Sequence, residues 1–180
     1  MLQFREINAE EVSLIKDHLL SSLRLREFEK IIGPFKIIVA EGNWKEILLV
    51  SDKLFEVFQE FIDSRNPYSM GIHFGDIAKN KFKISLEGIT LISEYCEEKT
   101  ILSSAGEKKV LYGRNLTKMD VSFFPSQIQK NDMSILINGD GEVLALGKYL
   151  VNKEEIENLE KNEIIIKNIM DKGWYLRKGK

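Results

Sequence analysis

A single cysteine, Cys96, excludes an internal disulfide and supplies too few thiolates for a metal cluster. Two histidines, His18 and His73, leave little material for acid–base chemistry. His18 falls on a predicted helix among leucines and His73 within an apolar strand, so packed or surface roles are expected for both. Apolar runs are short: those around Phe35–Ala40 and Ile47–Val50 have strand length and do not reach across a bilayer. The start, MLQFREINAEE, is acidic and has no long apolar core of the signal-peptide kind. No phosphate-cradling GxxxxGK[ST], no HExxH and no calcium-loop pattern occurs. Ser103, Ser104 and Cys96 have no local signature of an activated nucleophile. These absences point away from catalysis, with no catalytic residues, no metal and no cofactor expected. They also point away from membranes, so a cytoplasmic protein of a reducing compartment is expected (nucleolar or nuclear in a eukaryote).

What is present is charge, unevenly placed. Of 180 residues, 30% are charged and 43% hydrophobic, enough apolar material for one ordinary core or two small ones. The net charge of −2 and pI near 5.8 argue against a protein that coats nucleic acid everywhere, so any polyanion site must be a local patch. Residues 1–96 carry 12 Lys+Arg against 15 Asp+Glu, whereas residues 97–180 carry 14 against 13. Much of the acid of the second half sits in Lys153–Glu163, which holds five glutamates. The last fourteen residues, KNIMDKGWYLRKGK, set five cations against the one anion Asp171, with Trp174 and Tyr175 among them. Cations with interleaved aromatics pair with phosphates and stack on bases, the combination that single-stranded nucleic acid requires.

Asn8 is placed to cap a helix running to about Arg24, with Glu10 and Glu11 in its first turn and Val12, Ile15, Leu19 and Leu23 as its buried stripe. Phe35–Ala40 and Trp44–Val50 read as a hairpin joined through Glu41-Gly42-Asn43. Ser51-Asp52 starts a helix whose inner face is Leu54, Phe55, Phe58, Phe61 and Ile62, closed by Asn66-Pro67. Strands follow at Met70–Phe74 and Lys81–Ser85, then a helical spacing over Leu86–Tyr95. Beyond Thr100 the texture changes to several short strands and one or two brief helices. A short helix is predicted over Gly106–Leu111 and a strand over Met119–Phe124. A hairpin, Met133–Ile137 with Glu142–Leu150, turns on Asn138-Gly139-Asp140-Gly141. An acidic helix capped by Asn152 runs to about Leu159, and strands follow at Glu163–Asn168 and Trp174–Arg177. The fold class expected is α+β: an N-terminal α/β domain with an antiparallel sheet over residues 1–96, then a mixed β-barrel over 97–180.

In the second half an ordered set of segments stands out. These are Gly106-Glu107, Leu111-Tyr112-Gly113, the turn and strand GDGEVLALGK from Gly139 to Lys148, and Asp171-x-Gly173-x-Tyr175-x-Arg177. Together they resemble a PUA domain, the module named for pseudouridine synthases and archaeosine transglycosylases. Phe74-Gly75, Lys79 and the Lys81-Phe82 strand extend the likeness into the first half. The whole chain resembles the small biogenesis factors of the 60S ribosomal subunit (Nip-type pre-rRNA processing proteins), which pair an α/β domain with a C-terminal PUA domain. An archaeal source would suit the compact chain. The resemblance implies an RNA-binding role in pre-rRNA processing and large-subunit maturation. It implies as partners pre-rRNA and other ribosome assembly factors or pre-ribosomal particles; no membrane partner and a monomer are expected besides.

The RNA-facing parts it implies are Lys108, Lys109, Tyr112, Gly113 and Arg114 in one place and Lys167, Lys172, Tyr175, Arg177 and Lys178 in another. Gly113 would let backbone approach RNA, or be a plain turn needing positive φ. Lys108 and Lys109 would anchor phosphate, or be the wet face of a short helix. On a strand, Tyr175 and Arg177 would point outward while Trp174 and Leu176 face the core. Asp171 is expected to orient a neighbouring cation or turn amide. Asp140 and Glu142 read as solvated turn carboxylates, and Phe123-Phe124-Pro125 as a core-strand end or a docking patch. The alternative function is an RNA-modifying enzyme or its accessory subunit, which the missing catalytic signatures disfavour.

Overall fold

The computed structural model describes residues 3–61, 70–96 and 99–178, with backbone alone for Phe61 and Lys178. The expected contribution of Ile62 and the stop at Asn66-Pro67 lie outside the described residues. The chain divides into two compact units, Met1–Ser21 with Leu25–Tyr95, and Ser22–Arg24 with Cys96–Lys180. Among the described residues no helix is long and apolar enough to cross a membrane.

The first unit is a five-stranded antiparallel sheet in the order β1-β2-β3-β4-β5, formed by Gln3–Glu6, Lys36–Glu41, Lys45–Val50, Ile72–Ala78 and Lys81–Ile84. Among the described residues four α-helices accompany it: α1 Ala9–Leu23, α2 Phe28–Ile32, α3 Asp52–Phe61 and α4 Leu86–Ile92. Alternation along β2 and β3 sends Ile38, Ala40, Leu48 and Val50 to one face, where Phe58 of α3 and Met70 pack. Val39, Ile47 and Leu49, on the opposite face, are just as buried, so this sheet is covered on both sides. Helix α1 begins with a capping box in which Asn8 Oδ1 accepts from the Glu11 amide at 2.9 Å and Glu11 Oε2 accepts from the Asn8 amide at 3.2 Å. Ile15, Leu19 and Leu23 form its buried stripe as expected, while Leu54 of α3 is exposed rather than inward.

Sequence reading missed β1 and α2 and stopped β4 too early. The β4–β5 connection is a two-residue turn, Lys79-Asn80, with φ of 51° and 56°. Two left-handed residues match the twist of a tight hairpin, but without glycine the turn left no strong sequence signal.

The second unit is a six-stranded mixed sheet in the order β7-β11-β10-β9-β6-β8. Its strands are β6 Lys99–Leu102, β7 Leu116–Thr117, β8 Val121–Phe123, β9 Met133–Ile137, β10 Val143–Tyr149 and β11 Ile164–Asp171. Among the described residues only the β6–β9 pair is parallel. The two edge strands, β7 and β8, are consecutive in the chain and joined by one 3-10 turn, Lys118–Asp120, so the sheet curls nearly closed on itself. Inside lie Leu102, Leu136, Leu144, Tyr149, Ile165 and Ile166, together with Val110 from α5 (Ser104–Leu111) and Ile156 from α6 (Lys153–Ile156). The Tyr149 hydroxyl is satisfied within this core by Thr100 Oγ1 at 2.6 Å, which also meets Ser134 Oγ at 2.8 Å. The Asn138 turn behaves as read: its Oδ1 accepts from the amides of Asp140 and Glu142, and Gly141 takes a φ of 85°.

Three expectations are corrected here. Met119–Phe124 is not one strand but the 3-10 turn followed by β8. The acidic helix after Asn152 ends at Ile156. Trp174–Arg177 is not a strand but part of helix α7, Gly173–Lys178.

Cys96 is buried, and burial pushes its thiol up to about 11, so the reactive thiolate is scarce at neutral pH. Iodoacetamide at pH 7.5 is expected to leave Cys96 unmodified in the native protein and to alkylate it in urea. Rapid labelling without denaturant would contradict the burial.

Candidate nucleic-acid interface

The site is assembled where the C-terminal end of α5 meets the end of β11 and the start of α7. Helix α5 is capped by Ser103, whose Oγ accepts from the Gly106 amide at 3.2 Å. This gives Ser103 a structural task rather than a nucleophilic one. The helix ends at Leu111, and Gly113, with φ of 76°, reverses the chain. Lys108 and Tyr112, four residues apart, share a face. Lys108 and Arg114 are exposed, Tyr112 is 73% exposed, and none of these three side chains has a described partner.

Lys109 is different. Its Nζ lies 2.7 Å from Asp120 Oδ2, and the same oxygen accepts from the Thr117 amide at 2.7 Å and hydroxyl at 2.8 Å. Burial pushes the Asp120 carboxyl up, but the Lys109 ammonium and the two Thr117 donors outweigh it and hold the group below its ordinary value. Lys109 therefore ties α5 to the 3-10 turn, and its charge is neutralised within the unit.

Asp171, buried at the end of β11, is held by a two-pronged guanidinium contact. Arg177 Nη1 donates to Oδ1 at 2.8 Å and Nη2 to Oδ2 at 3.0 Å. Arg177 Nη1 also donates to the Leu111 carbonyl, at the negative end of the α5 dipole. The hydrogen bond to Asp171 raises the Arg177 pKa from an already high value. Asn168 completes the knot: its Nδ2 donates to the Val110 carbonyl at 3.0 Å and to Asp171 Oδ2 at 3.1 Å, while its backbone amide donates to Asn115 Oδ1 at 3.0 Å. Two glycines permit the close approach. A Cβ on Gly113 would stand 3.1 Å from Arg177 Nη2, and one on Gly173 would fall on the Leu111 carbonyl oxygen.

The structure thus brings Lys108, Tyr112, Gly113 and Arg114 beside the segment carrying Asp171, Gly173 and Arg177. Lys167 is exposed on β11, and Lys172 is half-buried with its amide donating to the Leu144 carbonyl at 2.9 Å. Tyr175 is half exposed and meets Trp174 edge to face at 5.3 Å. The side chain of Lys178 lies outside the described residues. Asp171 orients a cation, as expected. Arg177 does not project freely outward but is engaged with Asp171 and Leu111. Trp174 and Leu176, expected in the core, are 45% and 79% exposed because the segment is helical. The remaining candidates are in ordinary structural settings. His18 packs edge to face on Phe82, and burial lowers its pKa; the His73 ring meets Asp76 at 3.0 Å, and that contact raises its pKa. Phe123 is exposed, while Phe124 packs against the core and Pro125 is buried. Sequence reading had no signal for Asn168 or Asn115, and for Gly173 it had the motif without its physical reason.

A curled mixed sheet whose core receives Val110 from α5, with α7 packed against the end of that helix, is the PUA architecture. It follows an α/β domain, so this is a two-domain PUA protein. A solved PUA-domain protein of Thermoplasma acidophilum aligns over 98% of this chain and 99% of its own, with a TM-score of 0.61 and 14% identity. The family model described as "NIP7/UPF0113, pre-PUA domain" matches residues 4–86, and that of the "UPF0113 PUA domain" matches residues 98–180. A UPF0113 protein of Archaeoglobus fulgidus is 28% identical over 99% of this chain and 97% of its own length. The 60S ribosome subunit biogenesis protein nip7 of Schizosaccharomyces pombe is 28% identical over 63% of each chain. The chain belongs to the NIP7/UPF0113 family.

Proposed function

We propose that this protein is an RNA-binding factor of large ribosomal subunit biogenesis, without chemistry of its own. Its PUA domain would hold single-stranded or irregular pre-rRNA, while the more acidic N-terminal domain would meet other assembly factors or pre-ribosomal particles. The observation that carries the reading is the surface at the end of α5. Lys108 and Arg114 stand exposed with no described partner, and the Tyr112 ring is bare between them in sequence. Charged donors bind phosphate at little cost when no carboxylate must be displaced, and an uncovered ring offers a stacking platform that accepts any base. Lys167, Lys172 and Tyr175 extend this surface toward α7, while Lys109 and Arg177 support it from within. The family relationship and the role in 60S ribosome subunit biogenesis named by the fission-yeast relative support the same reading.

The double variant K108A/R114A is expected to bind a fluorescent single-stranded RNA roughly tenfold more weakly. The slope of log affinity against log salt should fall by about 1.4, two phosphate contacts at about 0.7 each. Y112A should lose about tenfold through stacking, and Y112F should bind like the unaltered protein. Anisotropy titrations at several salt concentrations read both effects. Unchanged affinity and slope in all three variants would remove this surface from RNA binding. Nucleoside mass spectrometry of rRNA incubated with the protein should show no new modification; a modified nucleoside would instead favour an enzyme.

A further inference from the structure

Lys148 on β10 and Lys167 on β11 stand directly opposite each other in the antiparallel register. Opposed residues share a face and hold their Cβ atoms about 4.5–5.5 Å apart, a position at which like charges destabilise a sheet. Neither ammonium has a described partner to offset the repulsion. The residue facing Lys148 from its other neighbour, β9, is the apolar Met133, so that strand brings no carboxylate opposite it.

On the far side of β11 stands the segment that carries Arg114. Leu116 of β7 pairs with Ile166, and Asn115 Oδ1 accepts from the Asn168 amide at 3.0 Å. Continuing that register sets Asn115 beside Lys167, with exposed Arg114 one residue further along. Strands lie about 4.8 Å apart, so Lys148 and Lys167 stand side by side across the sheet rather than along one strand.

We propose that Lys148 and Lys167 form a phosphate subsite that grips the RNA backbone where it crosses β10 and β11, before it reaches Arg114 and Tyr112. This deepens the RNA-binding reading and rests on it. A shared phosphate, or two consecutive ones, would neutralise a charge pair that the free fold leaves opposed. The bound strand would run across the sheet, and Lys148 would belong to the interface.

The test separates binding from folding. K148Q and K167Q are each expected to weaken binding of a mixed-sequence single-stranded RNA several-fold and to lower the salt slope by about 0.7. K148E should lose more affinity than either, because its carboxylate repels phosphate and occupies Lys167. Yet K148E should raise the melting temperature at low salt, because it replaces a repelling pair by a cross-strand ion pair. Opposite movement of affinity and stability marks a pair kept for a ligand. If K148Q and K148E bind RNA like the unaltered protein while K108A/R114A is impaired, the subsite is wrong and the wider reading stands. If the unaltered protein binds no RNA, both fall. A K148E variant that loses affinity and stability together would also overturn the subsite, since a damaged fold would then explain the loss.

Discussion

Gly173→Ala is expected to cost the C-terminal unit about 3 kcal/mol of stability, against the direction of helix propensity. Alanine in a helix is ordinarily favoured over glycine by about 1 kcal/mol. Here the added Cβ would lie on the carbonyl oxygen of Leu111, 2.7 Å from its carbon and 2.8 Å from Arg177 Nη1. Two of those atoms are backbone at the end of α5 and do not rotate away. The first turn of α7 must then lift from α5, and overpacking of this kind costs about 1–3 kcal/mol before any bond is lost. Lifting also withdraws Arg177 from the Leu111 carbonyl and from the buried Asp171 carboxylate. The two tryptophans make the measurement clean: Trp44 reports the first unit and Trp174 the second. Urea unfolding followed through Trp174 in a W44F background should show the loss. Gly139→Ala serves as the control, because its added methyl meets nothing within 4 Å. Equal midpoints for G173A and the parent would refute the proposed close contact.

Glu11→Gln is expected to destabilise the N-terminal unit by about 2–3 kcal/mol at neutral pH, with the difference vanishing in acid. The Glu11 carboxylate receives Arg5 Nη1 at 2.9 Å and Nη2 at 2.7 Å, Lys45 Nζ at 2.6 Å and the Asn8 amide at 3.2 Å. It joins β1, α1 and β3 in one polar knot, to which Glu41 adds a second acceptor for Arg5 at 2.6 Å. The Arg5 hydrogen bonds lead; burial opposes them, and Lys45 and Asn8 add to them, so the carboxyl is held at about 2 against an ordinary 4.5. Because the folded value lies below the unfolded one, the stabilisation is fully present above pH 4.5 and is lost as pH falls toward 2. A shift of that size corresponds to on the order of 3 kcal/mol. Unfolding midpoints read through Trp44 in a W174F background, from pH 7 to pH 2, should converge for the two proteins. A gap that stays constant across that range would mean the charge of Glu11 contributes nothing.

Both results concern contacts that differ in how far they could be read in advance. The Asn8 cap and the Asn138 turn were legible, because each is made by side chains within four residues of the backbone they satisfy. Apolar alternation placed the β2–β3 and β9–β10 hairpins for the same reason. Helix α7 was not legible. Trp174, Tyr175, Leu176 and Arg177 alternate like a strand, and nothing local reveals that Arg177 has the Leu111 carbonyl, 66 residues earlier, as its acceptor. Strand β1 was missed because its four residues gain their ladder only from Glu41 to Ile38, far along the chain.

Composition, periodicity and short motifs were enough to read the α+β class, a boundary near Cys96, the likeness to PUA proteins and the cations that follow that residue. Those properties are sums or short-range patterns, and a linear chain carries them openly. Which cations stay exposed and which are paired was settled by folding alone. Lys108 and Lys109 are neighbours of identical chemistry, as Arg114 and Arg177 are alike in charge and shape. One of each pair is spent on a buried aspartate, Asp120 or Asp171, and the other is left to the solvent. A charge is neutralised by what folding sets within a few ångströms of it, and that distance is unrelated to separation along the chain.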